Sequence, residues 1–165
     1  MARILIVGCG CRGRAFAGEL VGAGHAVRGT TRDPAAIAGI EVTGAHGVVA
    51  DPDRLGTIMA QLAGVSVVCW LLASVDAAAA PDLHGPRLQT LLERLVDTPV
   101  RGFVYEGAGT VTGQQLADGA AAVRQAALTW RMPVAVTAAD PGDHGAWLAE
   151  MRAAVAEVLS SGPDT

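Results

Sequence analysis

The chain has 165 residues, a formal net charge of −4 and a 51% hydrophobic content of which little is aromatic, rings making up only 4% of the residues. That length supports one domain with a real core, and an Ala-rich apolar set suits helices packed closely on a sheet. The acidic balance argues against nonspecific nucleic-acid binding, no apolar run reaches bilayer-spanning length, and the lack of an apolar leader before the first strand predicts a cytoplasmic protein.

Residues 4–7 form an unbroken apolar run, Ile-Leu-Ile-Val, which suits a strand buried on both faces. Gly8, Gly10 and Gly13 follow at once in G-x-G-x-x-G spacing, with Cys9, Cys11 and Arg12 between them. Residues 15–21 then read as a helix with one apolar side. Strand, glycine turn and helix stand in the order a dinucleotide site needs. Gly8 permits the tight turn, Gly10 leaves room for a pyrophosphate against the backbone, and Gly13 lets the helix pack on the strand. The free N–H groups and positive end of that helix face the phosphates. The alternative is a helix-packing turn with no ligand.

Three cysteines exclude a complete disulfide framework, and Cys-x-Cys alone lacks the ligand count of a structural zinc site. Cys9 and Cys11 read as small residues filling a tight loop, with a redox role as the minor alternative.

Glycines at 22 and 24 stop the first helix. Residues 26–30 form the second strand, ending at Thr30-Thr31-Arg32-Asp33. Where the NAD version of this site places a carboxylate on the ribose, Thr30 and Arg32 stand instead. A guanidinium there suits a 2′-phosphate and points to NADP over NAD; otherwise Arg32 is a solvated charge beside Asp33. Residues 34–40 form a short helix, 41–47 a connector and 48–51 a brief third strand. Asp51, at that strand's carboxyl end, either accepts from an adenine amino group or caps the helix over 53–59.

Residues 65–74 are the most apolar run and read as the central fourth strand, with Ala73 and Ser74 small enough to leave space for a cofactor. Residues 75–81 read as a loop. Residues 83–96 form one helix with Leu88, Leu91, Leu92 and Leu95 on one stripe. His84 at its start either contacts ligand or is a surface histidine. Residues 100–105 form the fifth strand, and the loop from Glu106 to Gly113 faces the nicotinamide end of a dinucleotide. A helix over 114–130, a sixth strand over 133–137 and a helix over 146–159 follow. The last helix, with Trp130 or Trp147 exposed, offers a surface for a homodimer. Residues 160–165 read as a frayed tail.

Strands alternating with helices predict a single α/β domain over 1–159, a doubly wound parallel six-stranded sheet of Rossmann type in the order 3-2-1-4-5-6. Glu106, Thr110, Thr112, His84 and His144 are the polar residues on loops or helix ends near the strands' carboxyl ends, and are the candidates for any chemistry.

This pattern resembles the extended and atypical short-chain dehydrogenase/reductase families. The resemblance is carried by residues 4–13, by Gly-His-Ala-Val-Arg-Gly-Thr-Thr-Arg over 24–32, by Asp51, by Leu91-Leu92, and by Phe103-Val104-Tyr105, and runs to about Gly145. It implies NAD(P) as cofactor, with Gly8, Gly10 and Gly13 at the pyrophosphate, Arg32 at the 2′-phosphate, Asp51 at the adenine and Ala73 near the nicotinamide ribose. The departures are specific. Gly107 and Ala108 stand where the family carries a serine pair. The helix over 119–125 lacks the family's Tyr-x-x-x-Lys, the chain has no lysine, and its one tyrosine, Tyr105, lies inside a strand and reads as core. One helix follows Gly145 in place of a substrate-binding portion. The expectation is therefore a protein that holds or senses NADP(H) without standard dehydrogenase catalysis; the alternative is a small oxidoreductase or epimerase-like enzyme with substituted groups.

Overall fold

A computed structural model describes residues 1–161. Six strands, β1 (Arg3–Val7), β2 (Ala26–Thr31), β3 (His46–Val49), β4 (Val67–Trp70), β5 (Gly102–Glu106) and β6 (Val134–Thr137), form one sheet. Its order is β3-β2-β1-β4-β5-β6 and every pairing is parallel, the doubly wound arrangement expected from the alternation of elements. Register runs Ile4 beside Val27 on one side and Val67 on the other.

Among the described residues, seven α-helices cover the two faces: α1 (Cys11–Gly22), α2 (Ile37–Glu41), α3 (Leu55–Met59), α4 (Ala80–Leu83), α5 (Pro86–Leu95), α6 (Gly113–Trp130) and α7 (His144–Ser160). Side chains alternate along each strand, so the apolar runs feed two separate cores. Leu5, Val7, Val68, Trp70, Phe103 and Tyr105 pack with Ile58 of α3, the α5 leucines and Val123 of α6. Ile4, Ile6, Val67, Cys69 and Val104 pack on the other face with Phe16 and Leu20 of α1, Ile40 of α2 and Met151, Val155 and Val158 of α7. The fold thus places α1 and α7 side by side on one face of the sheet.

Several element boundaries differ from the sequence reading. The connector at 41–47 is shorter, because β3 already begins at His46. The stretch at 75–81 is not all loop, and the helix expected over 83–96 is two helices. Pro86 supplies no amide to an incoming helix, and at Gly85 a Cβ would lie 2.6 Å from the Pro81 carbonyl oxygen. The chain therefore turns at His84-Gly85 and starts α5 afresh. Ser160 closes α7 rather than opening a tail; residues 162–165 of the expected tail lie outside the described residues.

Candidate functional site

The turn after β1 is built as the glycine spacing requires. Gly8 has φ +87°, a left-handed conformation, and a Cβ there would lie 2.6 Å from the Leu71 carbonyl oxygen. Gly13 sits in the first turn of α1, where a Cβ would be 3.2 Å from the Gly8 carbonyl oxygen. Gly10 is different: a Cβ would meet nothing within 4 Å, so its bare face opens onto free space.

Gly10 is also the N-cap of α1 and offers no side-chain cap. The opening amides of the helix are thus left for whatever enters from outside. Thr30 locks the turn from β2: its Oγ1 accepts from the Gly8 amide at 3.1 Å and its carbonyl oxygen accepts from the Cys9 amide at 2.9 Å. The Cys9 side chain packs against Gly29, whose absent Cβ would lie 2.8 Å from Sγ. Burial pushes the Cys9 thiol up to about 11, against the pull of Arg14, so it stays protonated and inert at neutral pH. Cys11 is exposed, and its Sγ accepts from Arg14 Nη2 at 3.1 Å.

These residues form one wall of a crevice of about 480 Å³ at the carboxyl edge of the sheet. That volume falls within the roughly 300–1,000 Å³ typical of small-molecule sites. Gly8, Gly10, Cys11, Arg12, Gly13, Thr30 and Arg32 all line it, together with Arg14, Ser74, Asp76, Glu106 and Trp147. Arg32 is exposed at its β2 end. Arg12 reaches across from α1 and donates from Nη2 to Ser74 Oγ at 3.1 Å. Its Nε is buried and has no hydrogen-bond partner among the described residues. A buried, unpaired guanidinium donor in a crevice wall calls for an acceptor.

Asp51 and Ala73 are placed differently from the other proposed contacts. Asp51 Oδ1 accepts from the Asp53 amide at 2.9 Å, making a local turn, and Ala50 and Pro52 line the crevice in its stead. Ala73 is fully buried behind the wall; its amide donates to Glu106 Oε1 at 3.2 Å and its carbonyl oxygen accepts from Val111 N at 2.9 Å.

Of the five polar candidates for chemistry, only Glu106 reaches the crevice. It is not on the surface but 2% exposed. Both carboxylate oxygens are held: Oε1 by Ala73 N, and Oε2 by Trp147 Nε1 at 2.7 Å. Burial raises its pKa, while the Trp147 and Ala73 bonds and the Arg12 charge pull the other way. The exposed Trp147 expected for self-association is likewise corrected. It is fully buried, because its indole N–H satisfies Glu106 while its ring meets Phe16 edge-on at 6.1 Å. Trp130 is exposed, at 38%.

His84 is 2% exposed, on the opposite side of the sheet from α1. Its Nε2 lies 2.7 Å from the Leu72 carbonyl oxygen, which only accepts, so Nε2 carries the proton. Neutral Nδ1 then accepts from Tyr105 Oη at 2.6 Å. Desolvation lowers the pKa of His84, and burial raises that of Tyr105. The surface-histidine expectation is thus overturned, and Tyr105 is a core residue as read. Thr112 caps α6 by accepting from Gln115 N at 3.3 Å; Thr110 and His144 are exposed and outside the crevice.

The fold has parallels among solved structures. A short-chain dehydrogenase/reductase superfamily protein from Agrobacterium tumefaciens, with bound NAD, superposes with a TM-score of 0.65 at 22% identity, covering 81% of this chain and 48% of the other. Vestitone reductase from alfalfa gives 0.63 at 14% identity, covering 82% and 56%. UDP-glucose 4-epimerase from Bifidobacterium longum, in complex with NAD+ and UDP, gives 0.67 at 14% identity, covering 81% and 52%. The shared feature is the fold, and the chain spans about half the length of these proteins. No protein-family model matches the sequence, nor does any curated protein.

Proposed function

We propose that this protein binds a nicotinamide dinucleotide in the crevice beside the β1–α1 turn, prefers NADP(H), and acts as a sensor, carrier or regulator rather than by standard short-chain dehydrogenase chemistry. The observation that carries the reading is the pairing, on one wall, of the uncapped α1 amino end with the partnerless Arg12 Nε. Both ask for acceptor oxygens, and the open face of Gly10 leaves room for them. A diphosphate fits that donor set. Structures of similar fold with bound NAD support the same ligand class.

Gly8, Gly10, Cys11, Arg12 and Gly13 would hold the diphosphate. Arg32, exposed on the β2 side of the crevice, would hold a 2′-phosphate with its planar fork of donors. The adenine is better served by the Ala50 and Pro52 lining than by the Asp51 carboxylate, which is engaged with its own loop. When bound, the dinucleotide supplies a hydride donor or acceptor. This chain's own groups favour holding over reacting. The one tyrosine is buried against His84, and the chain has no lysine to assist it.

The alternative, a small NADPH-dependent oxidoreductase, rests on Glu106 at the crevice wall. Against it, both Glu106 oxygens accept N–H bonds, which leaves the carboxylate poorly set to deliver a proton to a carbonyl. Fluorescence titration with NADPH and NADH tests the proposal. Saturable binding of NADPH, tighter than NADH, is expected; no saturation with either ends it. Turnover of a carbonyl or quinone panel with NADPH would favour the alternative.

A further inference from the structure

Resting on the dinucleotide reading above, we propose that Glu106 makes the site selective for the oxidised dinucleotide, acting as a fixed counter-charge for the cationic nicotinamide ring. Glu106 is 2% exposed, yet among the described residues no ion pair reaches it. Its oxygens accept from two neutral donors, Ala73 N and Trp147 Nε1. These bonds orient the carboxylate and favour its ionised form, against the burial that raises its pKa. They do not cancel its charge. Arg12, whose charge acts on it, donates to Ser74 Oγ and makes no ion pair with the carboxylate.

Buried charges are normally paired, since an uncompensated one is costly in a low-dielectric interior. The crevice therefore has two unfilled demands of opposite sign. On the α1 wall Arg12 Nε is without a partner, and Arg14 and Arg32 add positive charge to the same lining. At the end of β5, Glu106 asks for a cation. An oxidised nicotinamide dinucleotide carries both features: anionic phosphates, and a ring with a full positive charge. The reduced form has the phosphates but a neutral ring. Only the oxidised form answers both ends.

The discrimination is electrostatic and needs no large movement. A carboxylate near a cationic ring, largely shielded from water, gives a preference of about tenfold or more. Such a site reports the oxidised-to-reduced ratio of its ligand rather than the total amount.

Calorimetric titration of the full chain with NADP+, NADPH and 2′-phospho-ADP-ribose, which lacks the ring, tests this. The expected result is NADP+ bound about tenfold or more tighter than NADPH, with the ringless compound no tighter than NADPH. Glu106→Gln, checked for folding by thermal melt, is expected to bring the NADP+ to NADPH ratio close to one through loss on the NADP+ side. Equal affinity of the wild-type protein for both forms, or tighter NADPH, overturns the charge argument while leaving the dinucleotide site standing. An undiminished ratio in folded Glu106→Gln overturns it as well. If the wild type binds none of the three, nor NAD+ and NADH, the dinucleotide reading itself fails and this one with it. A variant that does not fold leaves the wild-type ratio as the deciding measurement.

Discussion

At the scale of single residues, two glycines two positions apart in the motif have different jobs, and the difference is measurable. Gly8 is held at φ +87° against the Leu71 carbonyl. Gly8→Ala combines backbone strain with a clash and is expected to destabilise the fold by about 1–3 kcal/mol, read from urea denaturation. Gly10→Ala meets open space at an ordinary φ of −80° and is expected to leave the melt nearly unchanged. In the proposed site it nonetheless crowds the diphosphate, so NADPH binding is expected to weaken by about tenfold or more. A Gly10→Ala variant that binds normally would remove the diphosphate from this turn. Arg32→Glu is expected to weaken NADPH far more than NADH, and equal losses would count against the 2′-phosphate assignment. The glycines were legible because a tight turn restricts them by local geometry alone. Glu106 was not. Its burial depends on Ala73 and Trp147, 33 and 41 residues away, and no local pattern in the chain announces that a tryptophan will turn its N–H inward.

At the scale of elements, periodicity located the helices that carry apolar stripes and failed where a stripe crosses a break. The leucines of α5 are all buried as their spacing implied. Leu91→Ala is expected to cost about 2–5 kcal/mol through lost burial and the cavity left behind. The same leucine pattern hid the turn at His84-Gly85, because the Gly-Pro boundary interrupts the backbone without interrupting the hydrophobic rhythm. That turn carries His84 into the core and ties α4–α5 to β5 through Tyr105. The lowered pKa of His84 has a definite sign in stability. The folded state holds it neutral, so its contribution is complete above the ordinary value of 6.5 and is lost as pH falls from there through the lower folded value. The urea midpoint of the wild type is expected to drop more steeply on acidification through this range than that of His84→Gln. Parallel slopes would mean that the ring is accessible to protons in the native state.

For the whole molecule, strand order could be anticipated because alternating elements, right-handed crossovers and a first-strand glycine turn leave few other arrangements. Which surfaces remain for partners was less accessible, since Trp130 and Trp147 look equivalent in the sequence and only one is exposed. The proposed homodimer now rests on Trp130 and Leu128, both exposed near the end of α6. Sedimentation should give a dimer that Trp130→Glu dissociates; a monomeric wild type removes the idea. Among the described residues, no helix is long and apolar enough to cross a membrane. Ligand binding should also register globally: at one hundred times its Kd, a dinucleotide that binds only the folded form stabilises it by about 2.7 kcal/mol, visible as a higher melting temperature. The placement of Tyr105 has one further use. It is the sole phenol in the sequence, sealed beneath Gly119, where any larger residue would collide with its hydroxyl. Nitrating reagents can therefore reach it only when α6 lifts from the sheet, so the speed of its yellowing under tetranitromethane becomes a clock for the opening of that layer.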